Sequence, residues 1–513
     1  MRLEQYVMVG CVCALLAGLT ACATPLPDHD VPPSYRIDAP AHGLLGTYMR
    51  KQPAEGKAMS GFYMLDRGVD ALSARLHLID TTRTSLDLQY YIYNNDVTGG
   101  LVAERILAAA DRGVRVRILL DDVGNALSDE TATTLDRHIN IQLRLFNPVR
   151  IRNPWLSMPS KIVEFGRINN RMHNKLMIAD NLAIITGGRN IGDEYFALSE
   201  RDFQDIDLLG IGPIGQEASI SFDAFWNSPN AIPASVVHEN GKQGALNITR
   251  KNLVSHRLRE EQKPYTRAME QSSFSTSLKE GSLQLYWGES EWLADPPGKA
   301  NAQSIRSEEP FLARILADHL QDVRSELLMK SAYFIPGERG VELLAAMVSK
   351  GAKVSVLTNS LATTDVLAVH SSYAQYRKPL LQGGARLWEL QPRSSRQPDP
   401  SAFIGESEAS LHAKSFVFDR HKLFVGSINS DPRSIKLNTE AGVMVYQREL
   451  AERLAELFMR WTSDAYAFEV RLSEQGSLEW HAQNRHWTSE PEAGNVRRFK
   501  AWLLGWLPIE SQM

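Results

Sequence analysis

At 513 residues the chain is long for one domain and ample for two, and with 43% hydrophobic against 23% charged residues it is expected to fold. Lys plus Arg number 56 and Asp plus Glu 60, a formal charge of -4 without a long run of one sign. That balance argues against a protein that lives on non-specific nucleic-acid binding.

The amino terminus reads as an export signal: Arg2, then the apolar run from Tyr6 to Leu19, then small residues. The run is short for a membrane span. "LTAC", Leu19 to Cys22, resembles a bacterial lipobox, in which the cysteine is lipidated and becomes the new amino terminus. Glu4 departs mildly from that pattern, and a secretory signal cleaved at "ACA" or an uncleaved anchor are the alternatives. On the lipobox reading residues 1–21 are removed and Cys22 is the lipidated residue. Cys11 and Cys13 leave with the signal, so no internal disulfide or Cys-based metal site remains. Ala23, where an aspartate is absent, favours the outer membrane by resemblance to lipoprotein sorting rules, with the body facing the periplasm. Residues 22–58 are tether and lead-in, rich in proline from Thr24 to Pro40.

Val69, Leu72, Leu76 and Ile79 then recur at helical spacing, followed by the strand-like "SLDLQYYIY", Ser85 to Tyr93. A helix carrying Leu101, Ile106 and Leu107 closes at Gly113 and leads into the strand Val114 to Leu120. Strand, helix, strand with short links is a βαβ unit and implies a parallel core. The segment Phe146 to Arg171 interleaves Trp155, Leu156 and Met158 with Arg150, Arg152, Lys161 and Arg167. It reads equally as an interfacial loop and as a buried loop before a strand. "HNKLMIAD" follows, with His173, Lys175 and Asp180. The whole pattern then returns: "SELLMKSAYFI" from Ser325, a helix through Val341, Leu344 and Val348, Gly351, "KVSVLT", and "HAKSFVFD" with His412, Lys414 and Asp419. Gly113 precedes His173 by sixty residues and Gly351 precedes His412 by sixty-one; each aspartate precedes a glycine by seven and an asparagine by ten. One HxKxxxxD match is weak, but two in matching repeat context are strong. The chain therefore divides into a first half at 59–250, a connecting segment at 251–285, a second half at 286–470 and an extension at 471–513. In that extension Phe499, Trp502, Leu503 and Trp506 sit beside Arg497, Arg498 and Lys500, which fits an interfacial or a core-packing helix.

In a strand, residues two apart share a face, so each His points with its Lys, while Leu176, Ile178, Phe416 and Phe418 are read as the opposite, core-facing set. Two such faces related by a pseudo-twofold form a phosphate-sized electropositive pocket. The lysines neutralise non-bridging oxygens as phosphorus becomes five-coordinate, and Asn190, Asn429 and Ser427 are candidate donors to the same oxygens. One histidine attacks phosphorus; the other protonates the leaving oxygen and later deprotonates the incoming hydroxyl. Imidazoles in these roles need a carboxylate to fix their tautomer, and Asp205 and Glu440 are the candidates, with Asp207 competing with Asp205. Solvated acidic residues are the bland alternative.

Over about residues 59 to 470 the sequence resembles the phospholipase D superfamily, whose members carry two HxKxxxxD motifs. "GGRNIGDEYF" from Gly187 and "GSINSDPRSIKLNTEAG" from Gly426 are similar to bacterial cardiolipin synthases, in the branch without amino-terminal membrane spans. The resemblance implies an α/β fold of two similar halves, each a mixed sheet flanked by helices, with the active site between them at a pseudo-twofold. It implies that the six motif residues are catalytic, with His173 the nucleophile and His412 the acid/base by analogy, although the repeat leaves those roles formally exchangeable. The implied reaction moves a phosphatidyl group onto the terminal hydroxyl of phosphatidylglycerol and releases glycerol or an amino alcohol. Phosphatidylglycerol and phosphatidylethanolamine are thus the expected substrates, a membrane surface the expected partner, and no cofactor, metal or nucleic acid is called for. Hydrolysis of phospholipids by water, a nuclease, and a non-enzymatic lipid-binding lipoprotein are the alternatives. Two intact triads count against the last, and the charge balance with the apolar loop and tail counts against the nuclease.

Overall fold

A computed structural model describes residues 31–40, 43–52, 58–127, 129–149, 169–199, 201–238, 245–300, 311–392, 408–507 and 510. The export signal, Cys22, and residues 150–168 of the Trp155 loop lie outside the described residues.

The first half contains β1 (Ser60–Leu65), β2 (Ser85–Tyr90), β3 (Arg115–Asp121), β4 (Ile141–Phe146), β5 (Leu176–Ala179), β6 (Ala183–Gly187), β7 (Arg201–Gln204), β8 (Asp207–Ile211) and β9 (Ala231–Pro233). Its sheet runs β1-β8-β6-β5-β2-β3-β4-β9, with β2, β3 and β4 parallel and the other pairings antiparallel. All of β2 is buried, as a parallel strand covered on both faces must be. The second half contains β10 (Tyr286–Ala294), β11 (Glu326–Ser331), β12 (Lys353–Asn359), β13 (Arg386–Leu390), β14 (Glu408–Leu411), β15 (Lys414–Phe418), β16 (Lys422–Gly426), β17 (Ala441–Tyr446) and β18 (Ala467–Leu472). Its order, β10-β17-β16-β15-β11-β12-β13-β18, repeats the first half strand for strand. The βαβ reading from sequence holds in both copies.

The sheets meet edge to edge, because β1 pairs antiparallel with β10 as well as with β8. Beneath that seam lies one core drawn from both halves. Phe62, Ile178, Ile184 and Phe222 pack there with Leu328, Val417, Leu454 and Phe458. The helix Arg448–Trp461 supplies Leu450, Leu454, Phe458 and Trp461 to it, one stripe at three- and four-residue spacing. Leu176 and Ile178 enter this core as alternation requires. Phe416 and Phe418 do not: they keep step with Lys414 and pack in the outer core of the second half, so the opposite face there is Val417.

Three segments carry more structure than the sequence reading assigned them. Residues 251–285 are not a bare connector; with the helix Leu246–Glu260 they form helices that pack on Gly68–Thr81 and Val97–Asp111. The extension continues the second sheet through β18, β19 (Leu478–Ala482) and β20 (Arg485–Trp487) before its final helix. The proline-rich lead-in is tied down well before residue 58. Ser34 N–H donates to Asn227 Oδ1 (3.0 Å), Arg36 N–H to Asp223 Oδ2 (3.0 Å), and the Arg117 guanidinium to Ser34 O (2.8 Å).

The aspartates of the two motifs are placed by their turns. Asp180 and Asn181 take φ 55 and 53, and Leu182 N–H closes onto Ala179 O, the turn that matches strand twist in a tight hairpin. Asp419 and Arg420 do the same at φ 51 and 55. Asp180 then accepts the main-chain N–H groups of Arg83, Thr84 and Ser85 and the Thr84 hydroxyl, at 2.7 to 3.2 Å. Asp419 likewise accepts from Arg324, Ser325 and Glu326. Seven residues of extended chain separate His173 from Asp180, roughly 23 Å at about 3.3 Å per residue. Asp180 and Asp419 therefore anchor hairpin turns to the start of the neighbouring strand, a strand's length from the histidines. Replacing Asp180 by alanine is expected to strip buried donors of their acceptor and lower stability by about 1–3 kcal/mol, while the folded fraction keeps its turnover. Thermal unfolding beside kcat checks this: a fall in kcat at unchanged Tm would return the aspartate to the reacting centre.

Candidate active site

Each motif histidine is set in place by the strand that precedes it in its own half. At the end of β3, Asp121 Oδ2 accepts from Met172 N–H and Arg171 Nε, both at 3.0 Å. At the end of β12, Asn359 exchanges two hydrogen bonds of 2.8 Å with the main chain of Leu411. The residue before each histidine is thus clamped by the last side chain of the second parallel strand. Neither clamp was read from the sequence, although "ILLDD" ends a buried strand on acids.

The next step crosses between halves. His173 N–H donates to Thr439 O (2.9 Å) and Thr439 N–H to Arg171 O (2.9 Å), a parallel bridge. Its counterpart is the parallel pair β7–β14, with His412 N–H donating to Gln204 O (2.9 Å). Each crossing sets a histidine against the carboxylate that follows the partner strand. His173 Nδ1 lies 2.9 Å from Glu440 Oε2, and His412 Nδ1 lies 2.6 Å from Asp205 Oδ2. Both acids come from the opposite half. Asp207 is occupied elsewhere, at 2.9 Å from Arg75 and 3.4 Å from Arg189.

Burial works to raise both carboxyls, and the facing histidines and lysines outweigh it, leaving Asp205 and Glu440 below the ordinary range. An ionised carboxylate only accepts, so each Nδ1 carries the proton and each Nε2 keeps its lone pair for the site. Burial, opposed by Glu440, pushes His173 down to about 4. Burial and Lys414, opposed by Asp205, also lower His412. Lys175 Nζ donates to His173 O (2.7 Å), and Lys414 Nζ donates to His412 O. Burial pushes Lys175 down to about 7 and lowers Lys414. Lys414 bears on Lys175 and His173, and Lys175 on His412, so the four groups share one electrostatic site.

The chain matches the family described as cardiolipin synthase, PLD-like domain, over residues 76–203 and 316–461, one stretch in each half. It is 37% identical over 464 residues to cardiolipin synthase C of Escherichia coli, covering 88% of this chain and 95% of that one. An uncharacterized protein of Helicobacter pylori is 33% identical over 443 residues (85% and 83%). The chain belongs to the cardiolipin synthase, PLD-like family. It is an enzyme of the phospholipase D superfamily. The solved structure of phosphatidylserine synthase from Haemophilus influenzae shares the fold, with a TM-score of 0.54 at 12% identity over 86% of this chain and 91% of that one.

Within this PLD-like site the accessory residues divide. Ser427 hydroxyl donates to Glu440 Oε2 (2.5 Å) and accepts Ala441 N–H (3.0 Å), so it braces the carboxylate; the expected phosphoryl contact is not its arrangement here. Asn190 accepts Ile92 N–H (3.0 Å) and donates to Tyr195 hydroxyl (2.8 Å), which commits both ends of its amide to the scaffold. Asn429 accepts Tyr333 N–H (3.4 Å). Where the second half has Ser427, the first has Gly188, and a Cβ there would overlap the Asp205 carboxylate. Three aromatic residues frame the imidazoles: Tyr91 sets its edge to His173 at 5.1 Å, while Tyr195 and Phe203 flank His412 at 5.2 and 5.1 Å. Sequence reading missed all three, because strand and loop aromatics look like core. Among the described residues no group of three or more His, Cys, Asp or Glu is arranged to hold a metal ion.

A lysine held down by burial takes up a proton when an anion arrives beside it. In the free enzyme Lys175 loses charge as pH rises through about 7, and a bound phosphate raises its pKa again. Binding of inorganic phosphate or vanadate near pH 7.5 (a working value of about half a unit above that pKa) is therefore expected to be accompanied by proton uptake. Calorimetry in two buffers of different ionisation enthalpy measures it; zero uptake, or uptake unchanged in Lys175→Met, contradicts the assignment.

Proposed function

We propose that this enzyme is a phosphatidyltransferase of the cardiolipin synthase type, working through a phosphohistidine and delivering the phosphatidyl group to phosphatidylglycerol. The observation that carries the reading is the crossed pair of imidazole–carboxylate contacts at 2.9 and 2.6 Å, with a buried lysine beside each. The 37% identity to a relative named cardiolipin synthase C supports the choice of acceptor.

Both imidazoles are neutral in the free enzyme, and His412 takes up a proton from solvent at Nε2 as the phosphodiester anion enters. In the first step the His173 Nε2 lone pair forms a bond to phosphorus, the bond from phosphorus to the headgroup oxygen breaks, and His412 Nε2–H gives that oxygen its proton. In the second, the terminal hydroxyl of phosphatidylglycerol gives its proton to His412, its oxygen bonds to phosphorus, and the phosphorus–nitrogen bond breaks. His412 ends protonated and His173 neutral, as in the substrate-bound enzyme before the first step. Lys175 and Lys414 neutralise the non-bridging oxygens throughout. Two features support this division of roles. His173, down near 4, keeps its lone pair at neutral pH. His412 has the shorter carboxylate contact, and Glu440 shares its charge with the Ser427 hydroxyl, so the imidazolium is better supported at His412.

Mass spectrometry of products from phosphatidylglycerol vesicles tests the reaction. Cardiolipin with release of glycerol is expected, and phosphatidic acid instead identifies a hydrolase. His173→Ala and His412→Ala should each lower turnover by about a hundredfold or more. Acid-labile phosphorus should remain on His412→Ala and be absent from His173→Ala; the reverse labelling exchanges the roles.

Export, lipidation at Cys22 and an outer-membrane position facing the periplasm form part of the same proposal, supported by the apolar run and "LTAC" in the sequence. Palmitate label is expected on the expressed protein and absent from Cys22→Ser; label that persists in the variant contradicts it.

A further inference from the structure

The final helix, Asn495–Leu504, buries none of its side chains. Val496, Phe499, Trp502, Leu503, Trp506 and Leu507 are 51% to 73% exposed, an apolar stripe repeating at three- and four-residue spacing. Among the ring contacts described, its aromatic residues meet one another: Phe499 against Trp502 and Trp502 against Trp506, each at 5.9 Å between ring centres. Yet the helix is firmly placed. Arg497 donates to Leu361 O (2.6 Å) and to Thr364 O, and Ser371 hydroxyl donates to Ala501 O (2.8 Å). Polar contacts on one side hold it, and the apolar side faces outward.

The seat of this helix is the loop after β12, close to the catalytic site. Residues 360–366 follow β12 directly, and β12 ends in Asn359, the clamp on Leu411 beside His412. From the same stretch, Asp365 accepts the Tyr333 hydroxyl (2.8 Å) and lies close enough to Lys414 to bear on its charge. The helix that carries the stripe is thereby fixed beside the His412 side of the site. Tryptophan and phenylalanine beside an exposed Lys500 match the headgroup layer of a bilayer, where rings sit among the glycerol backbones and ammonium groups meet lipid phosphates.

We infer that the stripe on helix Asn495–Leu504 is a bilayer-seating element that sets the mouth of the active site against an anionic phospholipid surface. No helix among the described residues is long and apolar enough to cross a membrane, and this one lies in the interface. The seating rests on geometry alone; only the activity comparison below rests on the proposed lipid substrate.

The test uses the full chain with Cys11, Cys13 and Cys22 replaced by serine and an environment-sensitive fluorophore at Leu503→Cys. A control label goes at Ile139→Cys, which is fully out in solvent ahead of β4, at the end of the sheet away from the site. On vesicles containing phosphatidylglycerol, the label at 503 should shift to the blue and be quenched by a lipid-phase quencher, and the label at 139 should not. A water-like signal at 503 on those vesicles overturns the inference. So does a blue shift without lipid that grows with protein concentration, which makes the stripe a contact between copies. In the activity arm, Trp502→Ser with Trp506→Ser should lower turnover on vesicles about tenfold and leave turnover of a short-chain soluble substrate within about twofold. Equal loss on both substrates assigns the helix to the fold and overturns the seating. If the parent enzyme makes no phospholipid product at all, the functional reading fails while the fluorescence result still decides this one.

Discussion

Two buried carboxylates, each satisfied by an imidazole from the other half of the chain, set the terms for the rest of the molecule. Glu440 and Asp205 are wholly buried, and a buried charge without its partner costs about 3–5 kcal/mol. Either half folded alone leaves its buried carboxylate without the imidazole that faces it. The halves are therefore held in one orientation by the β1–β10 seam, by the parallel bridges at Thr439 and Gln204, and by a core to which both contribute. The clamps at Asp121 and Asn359 complete the chain of placement, carrying the order of the parallel strands to the main chain beside each reactive ring.

The same burial poises the site for an anion. Two lysines, two carboxylates and two neutral imidazoles come close to electrical balance when the site is free, and desolvation holds the lysines below their ordinary values. A phosphodiester entering that space meets donors already oriented in a low-dielectric setting, where charge that develops on the non-bridging oxygens is met without rearrangement. The lysines are tied to the histidines' own carbonyl oxygens, so each imidazole and the charge beside it move as one piece of strand.

Duplication has not left the halves equivalent. On the first side a short carboxylate, Asp205, reaches His412 because Gly188 has no side chain in its way. On the second a longer one, Glu440, reaches His173 with the Ser427 hydroxyl braced against it. Two rings, Tyr195 and Phe203, flank His412, while the edge of Tyr91 alone meets His173 among the aromatic contacts described. Carboxylate length, the glycine or serine opposite it and the aromatic packing vary together, and this gives two histidines of one motif different surroundings.

Local chemistry was legible in the chain. Hydrophobic period, turn glycines and equal spacings in two places gave the βαβ units, the repeat and the two His–Lys pairs, because strand and helix periods act over a few residues and duplication preserves distances along the chain. The candidate carboxylates, Asp205 and Glu440, were legible too, as acids downstream of each motif. What failed was long-range or end-of-strand information. Spacing alone cannot tell that Asp180 points away from His173, since the motif spans the length of a strand and its last residue belongs to the hairpin turn. Nor can it tell that the lead-in is pinned at Ser34 and Arg36 by residues nearly two hundred positions away. The sequence by itself determined which residue types the site contains and that they occur twice. Only the tertiary structure decided which carboxylate faces which histidine and that Asp207 is spoken for by arginines, because hydrogen bonds between halves depend on how two sheets meet and leave no period in the chain.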